Sequence, residues 1–528
     1  MKERQTCNCK RLPKWSSISK EFPLKNLVSL VLVVLFGSLG FGAGETPAPT
    51  FKLHLSNEPS QLDPHQQKSS ASSYLLQNLY RNIFFYDNKQ GLVPDLGESC
   101  KRDGPLVLIC KLKKGLIWSD GSALTSADFI KGYQRVLDPK NAAPRADMLF
   151  KIKNAPAIYK GQKKMETLGI TAPDATTLRF EFEEKDPDFE YNLASFLIAP
   201  VKNILKPGQK VSELIVNGPY KMADWLPGQK IQLINNTNYK LGNFNKRPLV
   251  EILFINEDSV ALQLYEKNEL SFLRRLPTLY IPKFKSRPDF YWIPVIRFDY
   301  IGFGPSLKDH PKIREAIALS LNYPELQKIF SSEGVPGCPG IPSAWMTEEL
   351  CYKLDAQKAK KAFSEDKKVP ADMKLMYSAL GGEDHRRATE WMQAQWQKNL
   401  GLKVQLVLRE NKVYLNELQS NPPALFRKGV APDRPTCLAT LETFADWSPE
   451  NYIQMKDPEY QAILKKLGES TKPEDQRKIC TEGIHYLMDR YLVIPLGEIH
   501  FAMMAKKTFH GWKVNSMNQL DLADLSAD

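Results

Sequence analysis

The 528-residue sequence holds no Gly-x-x-x-x-Gly-Lys-Ser/Thr phosphate loop, no His-Glu-x-x-His and no complete Gly-x-Ser-x-Gly. These absences remove the motifs of nucleotide hydrolysis, zinc peptidase and serine hydrolase chemistry. The nearest approach to the last, Gly37-Ser38-Leu39-Gly40, lacks its full pattern. The seven histidines are scattered, with no two at the helical spacing of metal ligands, and no Cys-x-x-Cys occurs, so neither a metal nor any other cofactor is expected. No stripe of Lys and Arg interleaves with aromatics as a phosphate backbone requires, which argues against nucleic acid as a partner. Internal repeats are absent too.

What is present is ordinary globular composition, 42% hydrophobic, 25% charged and 10% aromatic, over a length that calls for roughly three or four domains. Formal net charge is +12, but residues 1–44 carry seven Lys/Arg against Glu3 and Glu21, leaving a mild +7 for the rest. Within that leader the basic stretch to Lys25 is followed by the apolar run Leu27 to Leu39 and the small residues Gly40, Gly42, Ala43 and Gly44. This is the order of a cleaved secretory signal, and the run falls short of the ~20 residues that span a bilayer. No cysteine follows the run closely enough to carry a lipid, so a periplasmic protein free of the membrane is expected. Cleavage leaves Cys100, Cys110, Cys338, Cys351, Cys437 and Cys480, an even number in an exported chain, which permits disulfides in about fifteen connectivities. Cys100 and Cys110 flank a turn signal at Asp103-Gly104, and Cys338 and Cys351 enclose a Pro/Gly-rich loop. These two close pairs are candidates for bridging, with buried free thiols as the alternative.

Strand, loop and helix then alternate. Phe51 to Leu55, Leu106 to Leu112 and Thr177 to Phe182 read as strands, and Tyr74 to Tyr86 as a helix running into an extended stretch. Thr125 and Asp128 have the spacing of a capping box for a helix reaching Leu137. Asp309 to Asn322 has Pro311 in its first turn and Ile313, Ala316, Ile317 and Leu321 on one face. A further helix from about Arg386 to Leu400 places Ala388, Trp391, Met392 and Trp396 on its core side. Gly401 stops it, and Val404, Leu406 and Leu408 alternate as the next strand, a helix-to-strand unit of an α/β domain.

Taken in order, several segments resemble the extracytoplasmic solute-binding proteins of peptide ABC importers, the oligopeptide- and dipeptide-binding family. They are LSNEPSQLDPH (Leu55 to His65), LKKGLIWSDGSALTSADFIKGYQRVLDP (Leu112 to Pro139), NGPYKMADWLPGQKIQLINNTNY (Asn217 to Tyr239), HPKIREAIALSLN (His310 to Asn322) and WMQAQWQKNLGLKVQLVLRENKVYLNEL (Trp391 to Leu418). The resemblance implies an α/β architecture of the type II periplasmic-binding fold, with two hinged lobes and a third, smaller lobe. On that pattern residues 1–44 are the signal peptide, 45–95, 214–298 and 491–528 form lobe I, 96–213 the small lobe II, and 299–490 lobe III. Two departures stand out: Asn268-Glu269-Leu270-Ser271 replaces Gly-Glu-Ile-Asp, and Tyr300-Ile301-Gly302-Phe303 lacks an expected Asn. Trp118-Ser119-Asp120-Gly121 marks the family but reads as a turn and a packing residue.

The resemblance also implies a receptor, not an enzyme: a monomer that captures short peptides between its lobes and delivers them to membrane permease subunits of an ABC importer. A metal chelate, haem or a cell-wall-derived peptide on the same fold is the alternative cargo, and hydrolysis is the least expected role. In the family an aspartate holds the peptide amine. Ala445-Asp446-Trp447 followed by Pro449 and Tyr452 is similar to that segment and makes Asp446 the preferred anchor. Asp433, preceded by Arg427 and Gly429, is the second choice. Arg427 is also suited to bidentate capture of the peptide carboxylate. Ser69, Ser70 and Ala71 align with a stretch near the ligand backbone. Arg274 and Arg275 either face the cleft, where they would favour a ligand with extra carboxylates, or lie on the surface.

Overall fold

The computed structural model describes residues 49–67, 72–87, 91–330, 337–366, 370, 372–379 and 382–528. The leader at 1–44 and the candidates Ser69, Ser70 and Ala71 lie outside these residues. Three sheets organise the rest. A seven-stranded sheet has the order 290–295, 499–505, 272–273, 50–55, 249–254, 230–235, 220–226. A five-stranded sheet has the order 405–409, 374–378, 425–430, 298–303, 493–495, and a four-stranded sheet the order 97–102, 107–112, 177–181, 170–174.

Local signals account for many of the elements. The capping box of Thr125 and Asp128 starts the helix Ser126–Leu137, whose Phe129, Tyr133, Val136 and Leu137 enter the core over the four-stranded sheet. Pro311 opens the helix Pro311–Leu319. The helix Gly382–Leu400 buries Ala388, Met392 and Trp396 against it, with the Trp396 indole donating to the Ile317 carbonyl at 3.1 Å. Gly401 follows at φ +70°, a left-handed residue that turns the chain into Gln405–Arg409. The helix expected from Tyr74 is Ser73–Leu79, with the strand Phe84–Tyr86 after it. All six cysteines are bridged: Cys100–Cys110 across a hairpin, Cys338–Cys351 around its loop, and Cys437–Cys480 between two helices.

Three family motifs turn out to be internal clamps. Asp63 accepts from the His65 amide at 3.0 Å and from Arg135 Nη1 at 3.0 Å, so the Leu-Asp-Pro-His segment and the Arg-x-x-Asp-Pro helix end hold each other. Asn217 accepts from the Arg81 amide at 2.9 Å and donates to its carbonyl at 3.1 Å. Trp118 is fully buried, and Asp120 accepts from the Ser122 amide across the turn at Gly121. The departure Tyr300 to Phe303 lies in a wholly buried strand, where Tyr300 packs edge-on against Phe426 and Phe444.

The chain crosses between the seven- and five-stranded sheets twice. One crossing is Ile296-Arg297, where the Ile296 amide donates to Ser516; the other is Leu496 to Glu498, where the Leu496 amide donates to the Asp299 carbonyl. Gly497 sits there at φ +109°, a conformation that L side chains rarely adopt. The return to lobe I, expected from residue 491, therefore begins after Pro495, because Val493–Pro495 pairs with Phe298–Phe303 as the last strand of the five-stranded sheet.

Candidate ligand-binding site

In open α/β sheets the carboxyl ends of parallel strands are where ligands bind. In the five-stranded sheet, 374–378, 405–409 and 425–430 run parallel. Arg427 belongs to the last of these and is buried. Its guanidinium pairs with Asp299 on the neighbouring antiparallel strand, and Arg297 Nε reaches the other Asp299 oxygen at 2.6 Å. Burial would raise the Asp299 carboxyl, but the two arginines outweigh it and hold it down to about 2. Gly429 faces this pair across the ladder, and a Cβ there would collide with Asp299 and the Arg297 guanidinium. The glycine thus leaves the space that the ion pair fills.

His385, at the start of the helix Gly382–Leu400, lies against the same group. Burial, with Arg427, Arg297 and Arg275 adding repulsion, lowers its imidazole to about 2, so it is neutral. Among the described residues His385 Nδ1 and Arg427 Nε have no hydrogen-bond partner although both are buried. Lys428, whose ammonium stands 5.5 Å from the Tyr452 ring centre, is lowered by burial. Arg427 and Arg297 thus share one carboxylate, Asp299, beside a neutral imidazole, while Lys428, next in the strand, lies on its other face with Glu450 and Tyr452.

Beyond the strand end, the situation reverses. Asp433 is held by Arg145, which comes from the four-stranded lobe, and by Arg434 Nη1 at 3.2 Å. Burial would raise the Asp433 carboxyl, but Arg434 and Arg145 keep it below the usual range. Arg434 also donates to Glu442 at 2.7 Å and stands 4.0 Å from Asp188. Burial raises Asp186, Asp188 and Glu442. This is a seam between lobes that is rich in carboxylates.

Lobe I contributes from the carboxyl ends of its own parallel strands 50–55, 249–254 and 272–273. Arg274 lies over the Tyr74 ring, 5.7 Å from its centre, and 3.5 Å from Ser56 Oγ. Arg275 is 3.8 Å from Asp258 and close enough to influence His385. Thr278 hydrogen-bonds Asp384 beside His385, so lobes I and III meet there.

Arg427 and Gly429 therefore meet at the Asp299 ion pair, Arg275 is near enough to act on His385, and Asp433 lies at the seam. The segment Ala445-Asp446-Trp447 is placed otherwise. Ala445 is fully buried, Asp446 is exposed beside the Gln461 amide, and Trp447 is 65% exposed. An exposed carboxylate offers no closed surface to an ammonium in this structure, whereas Asp433 is buried at the seam. His385, Arg297, Asp299, Lys428 and Arg145 were not singled out in the sequence. Arg297-Phe298-Asp299, charges alternating into a buried strand, is the one local pattern that could have drawn attention.

The pattern of the bacterial extracellular solute-binding proteins, family 5, matches residues 91–452, and the chain belongs to that family. Over 498 residues it is 27% identical to the probable deoxycholate-binding periplasmic protein YgiS of Escherichia coli K12, covering 88% of this chain and 92% of the relative. Over 488 residues it is 23% identical to the periplasmic murein peptide-binding protein MppA of the same organism, covering 88% and 90%. The solved Haemophilus influenzae OppA complex with RPPGFSPFR superposes with a TM-score of 0.75 at 21% identity, covering 91% of this chain and all of that one, which fixes the fold as the type II binding-protein architecture. Among the described residues no helix is long and apolar enough to cross a membrane.

Proposed function

We propose that the chain is a periplasmic receptor, exported by its leader and cleaved, that binds short peptides by their two termini and hands them, as a monomer, to an ABC importer. The observation that carries this reading is the pairing of opposite sites along one stretch of chain. Arg427 and Arg297, which share one carboxylate beside the neutral His385, suit a second carboxylate, and the carboxylate seam at Asp433 suits an ammonium. Five residues lie between Arg427 and Asp433, at most ~20 Å of chain, which matches a short extended peptide. Neither anchor depends on side chains, so the sequence of the cargo is left free. Closure by bending at 296–297 and 496–498 would bring Arg145 and Arg275 onto the ligand. In this role the protein captures and releases without chemistry, and transport energy comes from the importer.

The test is calorimetric titration with tripeptides to pentapeptides, each beside its N-acetylated twin, on the parent, Asp433→Asn and Asp446→Ala. Saturable binding is expected, weakened about tenfold or more by acetylation and by Asp433→Asn, with Asp446→Ala unchanged. Heat with deoxycholate and none with any peptide would overturn the reading.

A further inference from the structure

A cavity of about 760 Å³ lies between lobe II and lobe III, next to the seam at Asp433. Tyr191, Trp345, Leu438 and Leu467 give it an apolar wall, and Asp186 and Asp188 are part of its polar wall. Asp188 is only 6% exposed, and its Oδ2 accepts no hydrogen bond among the described residues. The seam behind it sets four carboxylates, Asp186, Asp188, Asp433 and Glu442, against two guanidiniums, Arg145 and Arg434. Lys151, which also acts on Asp186, is committed to Glu184. Buried carboxylates persist only when they are paired, coordinate a cation or take up a proton, and burial raises Asp186, Asp188 and Glu442 toward the last of these. The rest of the cavity wall carries Arg102, paired with Glu190, and the exposed Lys185 and Arg477, so inside it Asp186 and Asp188 face Arg434 as their principal cation.

We propose that this cavity receives a cationic side chain on the first residue of the bound peptide, a lysine, arginine or diamino acid whose ammonium or guanidinium meets Asp188 and Asp186. The inference rests on the reading that Asp433 holds the peptide amine. Arg434 reaches both carboxylates, Asp433 through Nη1 at 3.2 Å and Asp188 near Nε at 4.0 Å, so one side chain already bridges them. The two nitrogens of a lysine, joined by its four-carbon stem and Cα, can reach both. Its methylenes would lie along Trp345 and Leu438 while its head meets the carboxylates, as amphipathic side chains do.

The experiment compares Lys-Ala-Ala, norleucine-Ala-Ala and Ala-Ala-Ala by calorimetry on the purified protein, on Asp188→Asn and on Asp186→Asn. Norleucine keeps the apolar stem and removes only the charge. Lys-Ala-Ala is expected to bind about tenfold or more tighter than norleucine-Ala-Ala, and the Asn variants to bring it down to the norleucine level. Equal binding of the two by the parent, with Ala-Ala-Ala still bound, overturns the cation preference and leaves the peptide reading standing. A lysine preference that survives in both variants overturns the assignment to this cavity. Failure of every peptide overturns the underlying reading and this inference with it. Should Asp188→Asn not fold, the parent comparison and Asp186→Asn decide.

Discussion

Arg81 is 1% exposed and charged, a combination that a fold tolerates only with partners in place. Asp95 stands 3.3 Å from one of its nitrogens and Asp521 pairs with another, while the Phe85 ring lies 4.6 Å from the guanidinium carbon. Tyr239 completes the group by donating to Asp95 at 2.6 Å. Replacing Arg81 by Leu would leave two buried carboxylates with one cation fewer, and a loss of about 3–5 kcal/mol is expected, read as a lowered urea midpoint. Arg81→Lys should recover part of it, since an ammonium restores charge without the fork that spans both acids. An unchanged midpoint in Arg81→Leu would show that the group is not under charge strain. Nothing near Arg81 in the sequence signals this role. Asp521 is 440 residues away, and a pairing made by tertiary closure leaves no local pattern.

Elements were more legible than sites. The capping box before Ser126, Pro311 in a first turn and Gly401 after a helix are local devices, and each element formed where its device stands. Asp433 and Asp446 could not be separated in this way, because both follow small residues and precede a proline within a few positions. What distinguishes them is placement: one continues from the strand Leu425–Val430 into the seam between lobes, the other follows a short helix and is exposed. The crossing strands were equally hidden, and they carry the next prediction. Gly497 at φ +109° lies where the chain bends between sheets, and the Gly340 backbone packs against its carbonyl. Gly497→Ala is expected to cost about 1–3 kcal/mol of backbone strain and to weaken peptide binding in step, because the closed form needs this crossing intact. Calorimetry with small-angle scattering checks it. Parent-like affinity with an unchanged ligand-induced decrease in radius of gyration would remove the crossing from the closing motion.

At the scale of the whole molecule, acid should weaken the fold well before its carboxylates titrate. His54 and His65 are buried, and burial lowers both to about 4. In the unfolded chain they would take protons near 6.5, so between about pH 6.5 and 4 the unfolded state binds protons that the folded state refuses. Stability is therefore full above that window and falls as pH drops through it, by up to about 3 kcal/mol per histidine. Asp299, held at about 2, adds its own loss below roughly pH 4, where its unfolded carboxyl begins to protonate and the folded one does not. Urea midpoints at pH 7.5, 5.5 and 4.5 should decline in order, and a His54→Gln, His65→Gln, His385→Gln triple variant should flatten the decline above pH 4.5. His54 and His65 belong to the first lobe: His54 lies near the end of a strand of the seven-stranded sheet beside Arg274, and His65 donates from Nε2 to the Ala199 carbonyl and accepts at Nδ1 from Arg135 in the clamp between motifs. His385 of the five-stranded lobe, lowered further, to about 2, loses stability across this window and below it, so that lobe should lose hydrogen-exchange protection first as acid is added. Simultaneous loss across both lobes would mean that the crossings at 296–297 and 496–498 transmit unfolding, and that the two sheets form a single cooperative unit.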